Sequence, residues 1–192
     1  LNNTCKINAH VLDAWSRLLV ATPGSRLRLL AKQGSHRRRI IAELGRRGIA
    51  AERILFADYL PPTSTLAQGP LLSRYHEIDL ALDTFPYNGT TTTCEALWMG
   101  VPVVSLIGDR HASRVGLSLL TAVNHSDWAA ETPEAYIEKA TLLANDRPSR
   151  EVLRQTLRAD FTASILCDHA GQASRFESAL RYSWRKWCEQ QA

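Results

Sequence analysis

The chain has 192 residues, 45% of them hydrophobic and 22% charged, with a net charge of +4. This is enough apolar side chain to bury a core, and no apolar run approaches the roughly 20 residues of a membrane-spanning helix, so a membrane span is excluded. The four cysteines, Cys5, Cys94, Cys167 and Cys188, form no C-x-x-C pair and lie in segments of different character; neither a zinc site nor a disulfide framework is indicated, and a reducing, cytoplasmic setting is expected.

Asn8 is placed to cap a helix whose apolar positions Val11, Leu12, Trp15, Leu18 and Leu19 share one face, and Pro23-Gly24 ends it. Leu27, Leu29 and Leu30 then make a strand, residues 35–47 a helix that stops at Gly48, and Ile54, Leu55 and Phe56 a second strand. Arg37, Arg38, Arg39, Arg46 and Arg47 bunch on that helix. The helix turns Ile40, Ile41 and Leu44 inward and has no interleaved aromatics, so the basic run reads as a solvated face and no nucleic-acid partner is expected. Residues 57–69, with Pro61, Pro62, Ser64 and Thr65, form a loop leaving a strand end, and Leu71, Leu72 and Tyr75 suggest a short helix.

Ile78, Leu80, Ala81 and Leu82 are a short apolar run of the doubly buried, parallel-strand kind, and Val101, Val103, Val104, Leu106 and Ile107 are another. Between them Pro86 and Asn88-Gly89 make a turn, and a helix begins at about Thr91 or Thr92. Alternating strands and helices with short loops imply a Rossmann-like parallel sheet with flanking helices, in which ligands gather at the carboxyl ends of the strands. Helices are expected over 111–123, 133–144, 149–164 and 171–190. The last carries a ridge of Phe176, Leu180, Trp184 and Trp187, read as a packing surface that self-association or folding back onto the sheet would cover. Residues 1–123 are expected to form the nucleotide-binding core and 124–192 a helical C-terminal extension of the same domain.

A helix that opens on four threonines at a strand end leaves its first amides without intrahelical partners, which suits a phosphate. The same residues have a plainer reading, in which Thr92 and Glu95 form a capping box and bind nothing. Other chemistry lacks its motif: there is no D-x-D for a metal-held diphosphate, no G-x-x-x-x-G-K-[ST], no H-E-x-x-H and no G-x-S-x-G.

The string Asn88-Gly89-Thr90-Thr91-Thr92-Thr93, followed by Glu95-Ala96-Leu97-Trp98, Gly100 and Pro102-Val103-Val104, resembles the phosphate-binding segment of the O-linked N-acetylglucosaminyltransferases. The resemblance extends to the start, Leu1-Asn2-Asn3 with Lys6-Ile7 and Leu12, Trp15, Leu18, Leu19, Pro23 and Ser25, and to Gly108-Asp109 with Ala112-Ser113-Arg114-Val115. It implies the C-terminal lobe of a two-lobed, GT-B type glycosyltransferase, in which one more apolar strand precedes the Asn-Asn pair. It implies that Thr90, Thr91, Thr92 and neighbouring amides hold the diphosphate of a UDP-sugar and that Lys6 neutralises the departing diphosphate. Asn3 then stands where a phosphate-contacting glutamine is found, Glu95 on the ribose hydroxyls and Leu60 at the uracil. It further implies transfer of N-acetylglucosamine to serine or threonine of protein acceptors without a metal or other cofactor, with an N-terminal lobe and TPR repeats as partners and a base outside this chain. The isolated lobe is expected to bind nucleotide and not to catalyse. Left open are a related lobe for GDP-fucose or a UDP-hexose, or for asparagine acceptors, and a non-catalytic interaction module.

Overall fold

The Oδ1 of Asn8 accepts the amide of Val11 at 3.0 Å and opens helix α1 (Ala9–Ala21), which buries Val11, Leu12, Trp15, Leu18 and Leu19 as their spacing requires. A computed structural model describes residues 2–58 and 72–191 of the chain. Leu60, with Pro61, Pro62 and Leu71, lies outside the described residues.

Strand β1 (Leu27–Leu30) leads through helix α2 (Ser35–Gly45) to strand β2 (Ile54–Ala57), and the two pair in parallel with Leu27 opposite Ile54. A second parallel sheet follows: β3 (Ala81–Leu82), helix α3 (Thr91–Trp98), β4 (Val103–Leu106), helix α4 (Val115–Ala122) and β5 (Ala129–Ala130), in the order β3-β4-β5. Helices α5 (Pro133–Asn145), α6 (Arg147–Ala163) and α7 (His169–Gln191) complete the chain.

The parallel strands and crossover helices match the expected class, with the sheet in two parts rather than one. β1 and β3 are not paired, yet one apolar cluster spans both parts, joining Val11, Trp15 and Leu18 of α1 to Leu27 and Leu29 of β1, Val104 of β4 and Tyr136 of α5. Arg28 in β1 also pairs with Glu77 ahead of β3. A second cluster gathers Leu97, Val101, Val103, Leu120, Leu157 and Phe161 beneath α3, α4 and α6.

Several boundaries moved for local reasons. The apolar run from Ile78 contributes only Ala81 and Leu82 to a strand, because the Ile78 carbonyl is taken by the guanidinium of Arg154 on α6. The short segment ahead of it is a 3-10 turn, Ser73–Glu77. The helix expected from residue 111 begins as a separate 3-10 turn, His111–Ser113, before α4. Helix α6 starts earlier than expected because Asp146 caps it through the amide of Ser149, at 3.1 Å. Strand β5 carries no sequence signal: two alanines become a strand only because Ile107 N donates to Ala130 O at 2.8 Å beside an already formed β4.

Helix α7 buries none of its residues, so the folded-back arrangement is not the one adopted. Phe176, Leu180, Tyr182, Trp184 and Trp187 are all exposed, and the Trp184 and Trp187 rings stack at 5.2 Å.

Candidate functional site

The segment between β3 and α3 is held from every side. Asp83, at the end of β3, is buried and spends its carboxylate on this loop: Oδ1 accepts the amides of Thr84 (2.9 Å) and Gly89 (2.6 Å), and Oδ2 accepts the Ser105 hydroxyl of β4 (2.8 Å). Asn88 is buried as well; its Nδ2 donates to Thr84 O (3.0 Å), its Oδ1 accepts the Gly116 amide (3.2 Å) and its own amide donates to Ala112 O (2.9 Å). From α1, Asn8 Nδ2 donates to Phe85 O at 2.7 Å, and from α5 the Tyr136 hydroxyl donates to Asp83 O at 2.9 Å. The turn includes a cis Phe85-Pro86 peptide. Polar groups buried at this density are costly unless paired, and here their pairing defines one loop shape.

That shape presents the start of α3 to the surface. Thr90 is the N-cap residue and makes no side-chain cap; Thr90 and Thr91 are exposed. The first helical amide with an intrahelical partner is Cys94, on Thr90 O at 3.0 Å, so the amides of Thr91, Thr92 and Thr93 have no partner among the described residues. Lys6 reaches the same place from the first turn of the chain. Its Nζ donates to Asn88 O at 2.8 Å and lies 4.0 Å from the Tyr87 ring centroid. Three amides and an ammonium thus stand at one sheet edge, an arrangement made for an anion.

The predicted site residues divide. Lys6 is held on Asn88 O in the loop that leads into α3, and Thr90, Thr91 and Thr92 open that helix. Asn3 turns away, exposed, with Oδ1 accepting the Cys5 amide at 3.1 Å. It is the preceding Asn2 that meets the helix, its Oδ1 accepting the Thr92 hydroxyl at 3.2 Å. The capping box does not form: Thr92 is already inside α3, and Glu95 instead accepts the Tyr75 hydroxyl at 3.0 Å. Tyr75 is buried, and that burial, together with the neighbouring Glu95 charge, holds its phenol well above the usual range. Arg114, just before α4, donates to Gly108 O at 3.1 Å. Leu60 lies outside the described residues.

Asp83, Asn88 and Tyr75 were not singled out from sequence. Asn88-Gly89 signalled a turn within the resembling string but no buried side-chain role, and Asp83 closes an apolar run, where a lone carboxylate is the signal that could have pointed to a buried acceptor for a strand-end loop. Burial is the main influence on Asp83 and raises its pKa to about 6, against lowering contributions from its Gly89, Ser105 and Thr84 hydrogen bonds and from the Lys6 charge. A cavity of about 400 Å³ opens elsewhere, between Ile165, Leu166, His169 and Gln172 at the root of α7, and none of the groups just described lines it. Among the described residues no three His, Cys, Asp or Glu side chains cluster as a metal site, and no helix is long and apolar enough to cross a membrane.

A lobe of parallel strands joined by crossover helices is of the Rossmann-like α/β class, in which ligands gather at the carboxyl ends of the strands. The sequence model of Glycosyl transferase family 41 matches residues 1–175, and the chain belongs to that family. It is 41% identical over 191 residues to a protein of Solanum lycopersicum named as probable UDP-N-acetylglucosamine–peptide N-acetylglucosaminyltransferase SPINDLY, covering 98% of this chain and 20% of that protein. A Caenorhabditis elegans UDP-N-acetylglucosamine–peptide N-acetylglucosaminyltransferase is 31% identical over 97% of this chain and 16% of its own length. Among solved structures, a mutant of the Thermobaculum terrenum O-GlcNAc transferase superposes with a TM-score of 0.87 at 38% identity, over 97% of this chain and 35% of that one. The chain therefore spans about a fifth of the length of the curated relatives it matches.

Proposed function

We propose that the chain is the nucleotide-sugar-binding half of an inverting glycosyltransferase that moves N-acetylglucosamine from UDP-N-acetylglucosamine to serine or threonine of proteins. The observation that carries this reading is the start of α3, where the Thr91, Thr92 and Thr93 amides have no partner among the described residues, with the Lys6 ammonium held on Asn88 O in the loop just before it. The names of the relatives support the donor and the protein acceptor.

In this reading the diphosphate sits on the three amides, with the Thr90, Thr91 and Thr92 hydroxyls at its edge. Asn3 stands within a few residues of Lys6 on the same turn, Glu95 faces the ribose and Leu60 the uracil. Inverting transfer builds negative charge on the departing phosphate as the sugar becomes cation-like. An ammonium and helix amides fixed beforehand stabilise that state more than the ground state. Lys6 suits this role because its carbonyl partner, Asn88 O, fixes the side chain while using one of three N–H donors. These groups supply the charge that a divalent ion supplies in other transferases, so EDTA is expected to leave UDP affinity unchanged. The acceptor's proton leaves to a group outside this chain. The N-terminal lobe and TPR repeats complete the enzyme, and unpaired cysteines fit a cytoplasmic, reducing setting.

Titration calorimetry with UDP, GDP and their sugar conjugates tests the reading. Micromolar binding of UDP and UDP-N-acetylglucosamine, with amide shifts largest at Lys6 and Thr91 to Thr93, is expected. Preference for GDP-fucose would assign the lobe to another donor. No binding of any nucleoside diphosphate would leave an interaction module.

A further inference from the structure

We propose that Asp83 is a positioning residue for diphosphate binding: through Gly89 and Asn88 it sets where the α3 amides and the Lys6 ammonium stand, without touching the ligand. This rests on the reading of that helix start as the diphosphate site.

The geometry singles out this one side chain. Oδ1 bridges the two ends of the loop, accepting Thr84 N at 2.9 Å just after β3 and Gly89 N at 2.6 Å just before α3. Oδ2 ties the same carboxylate to Ser105 in the neighbouring strand at 2.8 Å. From Gly89 the connection continues directly into the helix, because Gly89 O accepts the Thr93 hydroxyl at 3.1 Å. From Asn88, the residue before it, the carbonyl holds Lys6 Nζ at 2.8 Å. A shift of the carboxylate therefore moves both the amides and the ammonium. The first turn of α4 closes over one side of the carboxylate, where Gly116 packs so closely that a Cβ there would fall 2.0 Å from Ser105 Oγ and 3.0 Å from Asp83 Oδ2. Gly89 is as confined, since a Cβ would lie 2.5 Å from Thr92 Oγ1 and 2.9 Å from Thr93 Oγ1. The facing groups are Lys6 from the first turn and the Tyr136 hydroxyl from α5, which donates to the Asp83 carbonyl rather than to its carboxylate. A buried carboxylate with no salt bridge among the described residues, which accepts from both ends of one loop and from the adjoining strand, is placed to fix that loop against the sheet.

The test compares UDP, pyrophosphate and uridine as ligands of the wild-type chain and of Asp83→Ala, Asp83→Asn and Gly89→Ala. Asp83→Ala is expected to lose at least about tenfold in affinity for UDP and pyrophosphate, with uridine within about twofold, since small misplacement of binding groups is costly. Asp83→Asn keeps an acceptor for both amides and a donor for Ser105 Oγ, and should return UDP affinity to within about threefold of wild type. Gly89→Ala displaces the same joint from its other side, should show the ligand pattern of Asp83→Ala, and decides the matter if that variant does not fold. Wild-type affinity for UDP in either small-residue variant, equal losses for uridine, or no rescue by asparagine overturns the inference while leaving the diphosphate site standing. A wild-type chain that binds no UDP overturns the site, and the positioning role with it.

Discussion

Lys6 is the residue on which the proposed chemistry depends most. Replacing it with alanine removes a charge-assisted contact and is expected to weaken UDP by about tenfold to a hundredfold while the fold persists, because its contacts here are a single carbonyl and the exposed Tyr87 ring. Calorimetry alongside a circular dichroism melt would separate the two effects. For Glu95, the change to glutamine keeps an acceptor for the Tyr75 hydroxyl, so the fold should hold while UDP weakens more than pyrophosphate; equal losses would remove the ribose role. Asp83 carries a pH signature. Its folded pKa lies near 6, above the ordinary 3.8, so its contribution to stability is fully present below the lower value and is lost as pH rises through the higher one. The total is about 3 kcal/mol, of which about 2 kcal/mol falls between pH 4.5 and 7.5. Urea denaturation should show that fall in wild type and a flatter profile in Asp83→Asn; parallel profiles would show that the carboxylate is not the titrating group. Of the candidate site, the threonine helix start was legible in sequence because anion-ready amides follow from local order, and Lys6 only through the family resemblance. Asn2, Tyr75 and Asp83 were not, since each acts on a partner distant in the chain, as in the Thr92 contact to Asn2 across 90 positions.

At the scale of elements, the C-terminal end of α3 is as tightly specified as its start. Gly100 has φ 72°, and a Cβ there would lie 2.6 Å from the carbonyl oxygen of Arg154 on α6. Gly100→Ala is therefore expected to cost at least about 2 kcal/mol, from the left-handed backbone and from displaced helix packing together. Arg154 fastens the same joint, its guanidinium donating to the carbonyls of Tyr75 (3.1 Å), Met99 (2.9 Å) and Ile78. Arg154→Ala strands three acceptors, and a loss of about 2–3 kcal/mol in chemical denaturation is expected; a change within error would mean that water replaces the arginine. Helix periodicity and caps such as Asn8 located α1, α2 and α5 from the sequence, because those elements are decided locally. The shortened β3 and the alanine strand β5 were decided by Arg154 and by β4, which no local window contains.

For the molecule as a whole, the exceptional element is α7. None of its 23 residues is buried, while each apolar aromatic left in water forgoes roughly 1.5–3 kcal/mol of burial. Truncation after Cys167 should accordingly leave the melting temperature within about 2 °C of the full chain, since no buried residue of the helix is lost; a larger fall would show that the helix packs on the core in solution. Of the five tryptophans, Trp15 and Trp128 are buried and Trp184 and Trp187 lie open, so iodide should quench the second pair and spare the first. Protection of Trp184 and Trp187 that appears only as concentration rises, with a matching increase in sedimentation coefficient, would identify self-association through the ridge. The stacking of those two indoles, at 5.2 Å and 23° between planes, has an optical consequence. Two chromophores held this close share their excitations, so the helix should carry an exciton couplet in its ultraviolet circular dichroism. Anything that seats on the ridge and reorients either ring would alter the couplet's amplitude, which gives the chain a label-free reporter on its most exposed surface.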